Sequence, residues 1–272
     1  MRLGFACPYY GGTPPQVVAS QLSAVMHVAW QHPWVATVVT ERTPHIPACE
    51  KIVERALKHE TLDALFWTEH DCVLPIDAVT KLVKILENHP EADIATGITF
   101  MRYRPYHPMV AHYAGKVTRE IFEQQQLSVL KLTPEDIGKD HFRFHTSIDT
   151  TADPFYVDAT SMNCLLLRRR ALELIASIPH PFDTDHCSTP DFALCARLMG
   201  RAKIIVDPSL LTDHLGDPPR IGFDSWVEEM EKLIRDGQAE RIPGMKPGTE
   251  ETLRRLGLPW RVEVERKDGS AA

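Results

Sequence analysis

Glu69, His70 and Asp71 follow the apolar run Ala64-Leu65-Phe66-Trp67-Thr68, so two carboxylates and one imidazole stand where a buried strand ends. Two hard oxygen ligands on one side of a backbone make half of a divalent-cation site. Side chains alternate along a strand, so an extended backbone through these residues predicts that Glu69 and Asp71 point one way and His70 the other. About five acid-x-acid triplets are expected by chance from 37 acids in 272 residues, so the weight of this one lies in its position. Ligands of open α/β sheets collect outside the carboxyl ends of strands, where this triplet falls. The alternative is a solvated turn.

Two later segments carry further candidates. Thr189-Pro190-Asp191 precedes an apolar pattern with Phe192, Cys195 and Leu198 on one face, closed by Gly200. Thr189 suits an N-cap, Pro190 the first helical position and Asp191 the first turn. An acid there serves the helix dipole whether or not it does chemistry. His214 is one of 13 histidines and counts as a ligand only if the fold carries it to the acids. Arg42 can meet a phosphate or a neighbouring carboxylate. Arg102, Tyr103, Arg104, Tyr106 and His107 can stack on a sugar or base, or brace their own loop. Arg168-Arg169-Arg170 suits either a phosphate or a solvated helix face.

The elements that must position these residues alternate. Leu3 to Cys7 reads as a strand, and Pro8 to Pro15 as a turn-rich loop. Helical spacing follows over Gln16 to Trp30, then a strand over Trp34 to Thr40 and a helix over Ile46 to His59. After the acids come a helix over Pro75 to His89 and a strand over Ile94 to Phe100. Residues 111 to 153 are the least regular, as in a lid or insertion. Strand-like runs at Phe155 to Ala159 and Cys164 to Leu167 flank the turn Thr160 to Asn163. A helix to Ile178, the helix after Thr189 and a strand at Lys203 to Val206 complete the pattern. Strands alternating with helices predict a doubly wound, mainly parallel sheet, because parallel strands need crossovers.

Composition narrows the classes. With 43% hydrophobic and 25% charged residues the chain reads as one globular α/β domain, 1–216, with a helical appendage, 217–272, packed on it. No apolar run approaches membrane-spanning length, and the start lacks a long apolar signal region, so the default expectation is cytoplasmic, or host-cytoplasmic for a viral source. Six scattered cysteines without a C-x-x-C pair favour reduced, buried thiols. A net charge of −7 provides no global field for nucleic acid. No G-x-G-x-x-G and no P-loop pattern occurs, so a nucleotide would be held in another way.

Taken in order, Trp67-Thr68-Glu69-His70-Asp71, Cys164-Leu165-Leu166-Leu167-Arg168-Arg169, Pro190 to Gly200, Val206-Asp207-Pro208 and His214-Leu215-Gly216 resemble the GT-A glycosyltransferases. The likeness is strongest to their family-two-type inverting enzymes and covers about Leu3 to Gly216. It implies a Rossmann-like GT-A sheet and an Mn²⁺ or Mg²⁺ on the diphosphate of a nucleoside diphosphate sugar, with a UDP-sugar as the first expectation. Carried over by position, it implies Asp71 as main metal ligand, Glu69 as its partner through water or ribose, His214 as third ligand and Asp191 as general base. Cys7, Pro8, Thr13, Thr40 and Arg42 would hold base and ribose. His70 and Ser161 would also line the donor site, Ser161 from the 160–163 turn beside the sugar. The sequence departs from the family at Glu69, where Asp is usual, and at Pro190, where an acid often precedes the base.

The expectation is therefore a metal-dependent hexosyl transfer to a hydroxyl, with inversion. The acceptor is open among saccharide, small molecule, protein and hydroxylated bases of phage-type DNA, and the oligomeric state is open as well. A nucleotidyltransferase is the weaker enzyme reading, since Tyr10-Gly11-Gly12-Thr13 lacks a basic residue. A sugar-nucleotide-binding protein without turnover is the non-enzyme alternative.

Overall fold

The computed structural model describes residues 1–9, 13–41, 43–101, 106–125, 134–145, 148–185, 187, 189–215, 225 and 227. Arg42, the 102–105 stretch of the aromatic loop and nearly all of the expected 217–272 appendage lie outside them. In chain order the elements are β1 (Leu3–Tyr9), α1 (Pro15–Val28), β2 (Trp34–Glu41), α2 (His45–Leu57), β3 (Ala64–Thr68), β4 (Cys72–Val73) and α3 (Ala78–Asn88). They continue as β5 (Ile94–Thr99), β6 (Val110–Lys116), α4 (Arg119–Gln125), β7 (Asp140–Phe144), β8 (Phe155–Val157) and β9 (Ala159–Thr160). β10 (Cys164–Arg168), α5 (Arg169–Ala176), α6 (Pro190–Leu198) and β11 (Ile204–His214) close the series.

The central sheet runs β2-β1-β3-β10-β5-β11-β4, with β8 paired to β11. β1 is parallel to β2 and β3, and β5 is parallel to β11. β10 lies antiparallel between β3 and β5, so those two share one direction. The result is the expected mainly parallel α/β sheet flanked by helices, with one reversed strand at its centre. An apolar run such as Cys164 to Leu167 carries no directional signal, because a strand buried on both faces reads the same either way.

Strand periodicity splits the core into two layers. Leu65, Trp67, Leu165 and Leu167 face α2, α5 and α6, where Ile52, Leu172 and Phe192 meet them. Ala64, Phe66, Cys164 and Leu166 face α1 and α3, against Ala24, Val28, Leu82 and Leu86. At about 25 cal/mol per Å² of apolar area, these two buried layers are the main source of stability.

Three stretches differ from their sequence reading. The Pro75 carbonyl accepts from the Ala78 N–H, so a turn precedes α3 and the helix starts three residues late. Residues 111–153 contribute β6, α4 and β7, and β7-β6-β9 form a small second sheet. β11 does not stop at Val206. Its pairing to β5 shifts between Val206 and Leu211, a bulge that accommodates Pro208. Asp207 Oδ1 accepts from the Ser209 N–H at 2.9 Å and its hydroxyl at 2.7 Å, which fixes the kink. Gly97 lies beneath it: a Cβ there would sit 2.7 Å from both the carbonyl oxygen and Cγ of Leu210. The strand then resumes and carries Thr212 to His214 to the carboxyl edge of the sheet. No helix among the described residues is long and apolar enough to cross a membrane.

Candidate active site

At the end of β3 the backbone turns, with the Cys72 N–H reaching the Glu69 carbonyl at 3.4 Å. The extended geometry that would align Glu69 with Asp71 is lost, and the two acids take different partners. Asp71 Oδ1 lies 3.5 Å from His214 Nε2, both side chains being buried. Glu69 Oε1 instead lies 3.4 Å from Nε2 of His45, at the start of α2.

His214 is held by its backbone and its ring. β4 pairs antiparallel with the end of β11, placing His214 opposite Cys72, and the Leu215 N–H donates to the Asp71 carbonyl at 2.9 Å. The ring Nδ1 lies 3.0 Å from the Phe100 carbonyl, which can only accept, so Nδ1 carries the proton. In a neutral imidazole Nε2 then bears a lone pair, aimed at a carboxylate oxygen. A carbonyl that fixes the far nitrogen of a histidine is the usual outer support of a metal ligand. Asp71, Cys72 and His214 offer three ligand atoms within 4.8 Å of one another, all from buried residues. An oxygen and an imidazole nitrogen suit Mn²⁺ or Mg²⁺ better than a thiol does. Burial pushes the Cys72 thiol far above its ordinary range, and its Sγ, 3.7 Å from Asp71 Oδ1, can act as a weak donor to that oxygen. The residues present thus fit a hard divalent ion on Asp71 and His214.

Asp191 comes from the first turn of α6. Thr189 caps α6, its Oγ1 accepting from the Phe192 N–H at 3.4 Å, as the sequence predicts. Asp191 Oδ2 accepts from the Met162 N–H at 3.1 Å, which ties the start of α6 to the 160–163 turn. Burial pushes the Asp191 carboxyl above its ordinary range; the Met162 N–H and the nearby imidazoles of His45 and His214 pull the other way without cancelling it. Burial raises Glu69 as well, while the His45 contact opposes that rise. For His45, burial works to lower the pKa, and the Glu69 hydrogen bond and charge outweigh it, so the net shift is upward. His45, Glu69 and Asp191 therefore lie within one another's electrostatic reach, and His214 within reach of Asp191.

The remaining candidates occupy the same edge. Cys7 is buried, its thiol pushed up to about 12 by burial and then by the Glu69 charge. Gln21 of α1 donates to the Glu69 carbonyl at 3.0 Å and accepts from the Tyr9 hydroxyl at 3.1 Å, bracing the ends of β1 and β3. Pro8 pairs in register with Thr40. Among the described residues the buried hydroxyls of Thr13 and Thr40 and the Asn163 amide nitrogen find no hydrogen-bond partner. Buried polar groups are normally satisfied, so these are open to a ligand. Ser161 is buried, its N–H spent on the Met109 carbonyl at 3.2 Å. His70, on the turn, is half-buried and is not one of the three clustered ligand residues.

His45, Gln21 and the Phe100 carbonyl are absent from the sequence reading. A histidine just after Pro44, opening the helix that follows a strand's carboxyl end, is the signal that would have found His45.

No family model matches the chain, and no curated protein matches it in sequence. Among solved structures, it is similar to A197 from STIV, at 15% identity and TM-score 0.47, covering 90% of this chain and 98% of that one. It is also similar to GalNAc-T7, solved with UDP, GalNAc and Mn²⁺, at 11% identity and TM-score 0.48. That match covers 94% of this chain and 54% of GalNAc-T7, so this chain spans about half of that protein. A CMP:2-keto-3-deoxy-manno-octonic acid synthetase complexed with CTP matches at 13% identity and TM-score 0.40, covering 76% of this chain and 89% of the synthetase.

Proposed function

We propose that this chain is a metal-dependent glycosyltransferase that moves a sugar from a nucleoside diphosphate sugar to an acceptor hydroxyl with inversion. The observation that carries the reading is the buried pair Asp71 Oδ1 and His214 Nε2, 3.5 Å apart, with the ring Nδ1 held by the Phe100 carbonyl. With the imidazole neutral, this oxygen and this nitrogen are the donor types that a hard divalent ion takes. Asp71 and His214 would hold Mn²⁺ or Mg²⁺, which supplies charge neutralisation for the departing diphosphate. Glu69 supports the turn and reaches the donor through ribose or water.

Asp191 is the general base. Its carboxylate takes the acceptor proton as the acceptor oxygen bonds to the anomeric carbon; the bond from that carbon to the phosphate oxygen breaks, and its electron pair leaves with the diphosphate. Asp191 retains accessible surface, as a residue that must meet an acceptor requires. The Met162 N–H fixes the Oδ2 of this carboxylate. Thr13, Thr40 and Asn163 are donor-binding groups on this reading, because an occupied site would satisfy them.

Thermal stability against a panel of nucleoside diphosphate sugars, with and without Mn²⁺, tests the proposal, since a ligand of the folded state raises the melting temperature. A shift that needs both one donor and the metal, with release of the nucleoside diphosphate, is the expected result. The same shift without release identifies a binding protein, a reading favoured by the engagement of Glu69 with His45. No shift with any donor removes both.

A further inference from the structure

α1 turns Gln21, Ala24 and Val28 inward, while its outer face carries Val18, Leu22, Met26 and, just past its end, Trp30. These are 37%, 56%, 67% and 96% exposed, and the spacing of four makes them one ridge along the helix. Four of the eight large apolar side chains that the described surface exposes thus lie in one line. Ile76, 59% exposed, follows the turn that Ser20 anchors by accepting from the Leu74 N–H at 3.1 Å. A contiguous ridge of this size marks an interaction surface.

We propose that this face of α1 is an isologous contact with a second copy of the chain. The charge pattern selects that occupant. From Leu3 to Thr40 no Asp, Glu, Lys or Arg occurs, in a chain with 67 such residues out of 272 and a net charge of −7. Two copies of a chain with this net charge repel overall, and the α1 face carries no like charges to oppose across a two-fold axis. A membrane surface is less suited, because interfacial helices carry Lys or Arg on their polar side and α1 has neither. A two-fold axis passing between Leu22 and Met26 sets Leu22 of one copy against Met26 of its partner, and Val18 against Trp30. Rows spaced by four interdigitate at about −50°, which keeps the two helix centres in closest contact. Gln21, on the inner face of the same helix, holds the Glu69 carbonyl, so the contact braces the site edge from behind.

Light scattering across a concentration series tests this on the full chain, with Leu22→Glu and Met26→Glu beside the wild type. The expected result is a wild-type dimer and monomeric variants whose melting temperatures, extrapolated to low concentration, match the wild type. All six cysteines are buried, so Ser23→Cys introduces one reactive thiol, and a short bismaleimide should join two chains through it. A wild type that stays monomeric overturns the proposal, as do glutamate variants that stay dimeric. Monomers that bind phosphatidylcholine vesicles through this face overturn it in favour of a membrane. A monomeric wild type that is itself destabilised by Leu22→Glu overturns it in favour of the chain's own end.

Discussion

His214 faces Asp71 across 3.5 Å with its Nε2, while the Phe100 carbonyl holds its Nδ1 at 3.0 Å and the Leu215 N–H holds the Asp71 carbonyl at 2.9 Å. Strand β11, strand β5's end and the turn after β3 thus meet at two side chains. If the pair binds the metal, Asp71→Ala should weaken Mn²⁺ by more than the ~10- to 100-fold typical of losing an outer-shell support. Titration followed by the signal of free Mn²⁺ measures this directly. Unchanged affinity would remove Asp71 from the ligand set.

Cys72 shares that cluster but should not share the ion. Its protonated thiol is a weak donor, and a soft ligand adds little to Mn²⁺ or Mg²⁺. Cys72→Ala should leave the Mn²⁺ affinity within a few-fold, by the same titration. A collapse of binding in this variant would instead describe a thiolate site, with zinc as the better candidate.

Asp191→Asn should keep metal and donor binding and lose ~10²- to 10⁴-fold in turnover, the usual contribution of a positioned base. The amide preserves size and still accepts from the Met162 N–H, so a drop in kcat without a loss of melting temperature separates catalysis from folding. Equal turnover would remove Asp191 as the base.

Much of this architecture is legible in the sequence because period-two and period-3.6 patterns are strong where elements are long and buried. Trp67 and Phe66 report their opposite faces by alternation alone, and Thr189-Pro190-Asp191 announces the start of α6. Other features leave no such mark. The turn at Glu69 breaks the alternation that would pair the two acids, and the contact of Glu69 with His45 joins residues 24 apart. β11 conceals its second half behind Pro208, which reads as a strand end unless a bulge absorbs it. The β6–β7 pairing has a register shift between Tyr113 and Gly115, which blurs its periodicity.

The raised carboxyl of Asp191 has a consequence for stability without metal. An acid whose folded pKa exceeds its unfolded value binds its proton more tightly when folded, so its stabilising contribution is complete below the unfolded pKa and disappears as pH rises through the folded one. Burial sets this direction at Asp191 against the pull of His45, His214 and the Met162 N–H. In chelator, the melting temperature should fall as pH rises above about 4, the ordinary carboxylate value. Asp191→Asn should flatten that fall. In the enzyme assay the same group makes activity rise with pH, because only the carboxylate accepts a proton. A pH profile of stability identical in wild type and variant would contradict the assignment.

Gly97 offers a test of how the fold delivers His214. A Cβ at this position would meet the Leu210 carbonyl oxygen and Cγ at 2.7 Å, and the oxygen belongs to the backbone of the bulge. Only the strand itself can move to relieve that contact. Gly97→Ala should therefore cost about 1–3 kcal/mol, the range for forced overpacking, read as a lower urea midpoint at unchanged slope. The displaced bulge lies four residues before His214, so Mn²⁺ affinity should fall in this variant although no ligand is altered. Gly4→Ala is the control: its added Cβ meets Leu62 Cδ1 at 2.8 Å, Leu65 Cδ1 at 3.0 Å and the Ala36 Cβ at 3.3 Å, away from β11. It should lose stability and keep the metal. Loss of metal affinity in both variants would mean that global stability, rather than the path of β11, governs the site.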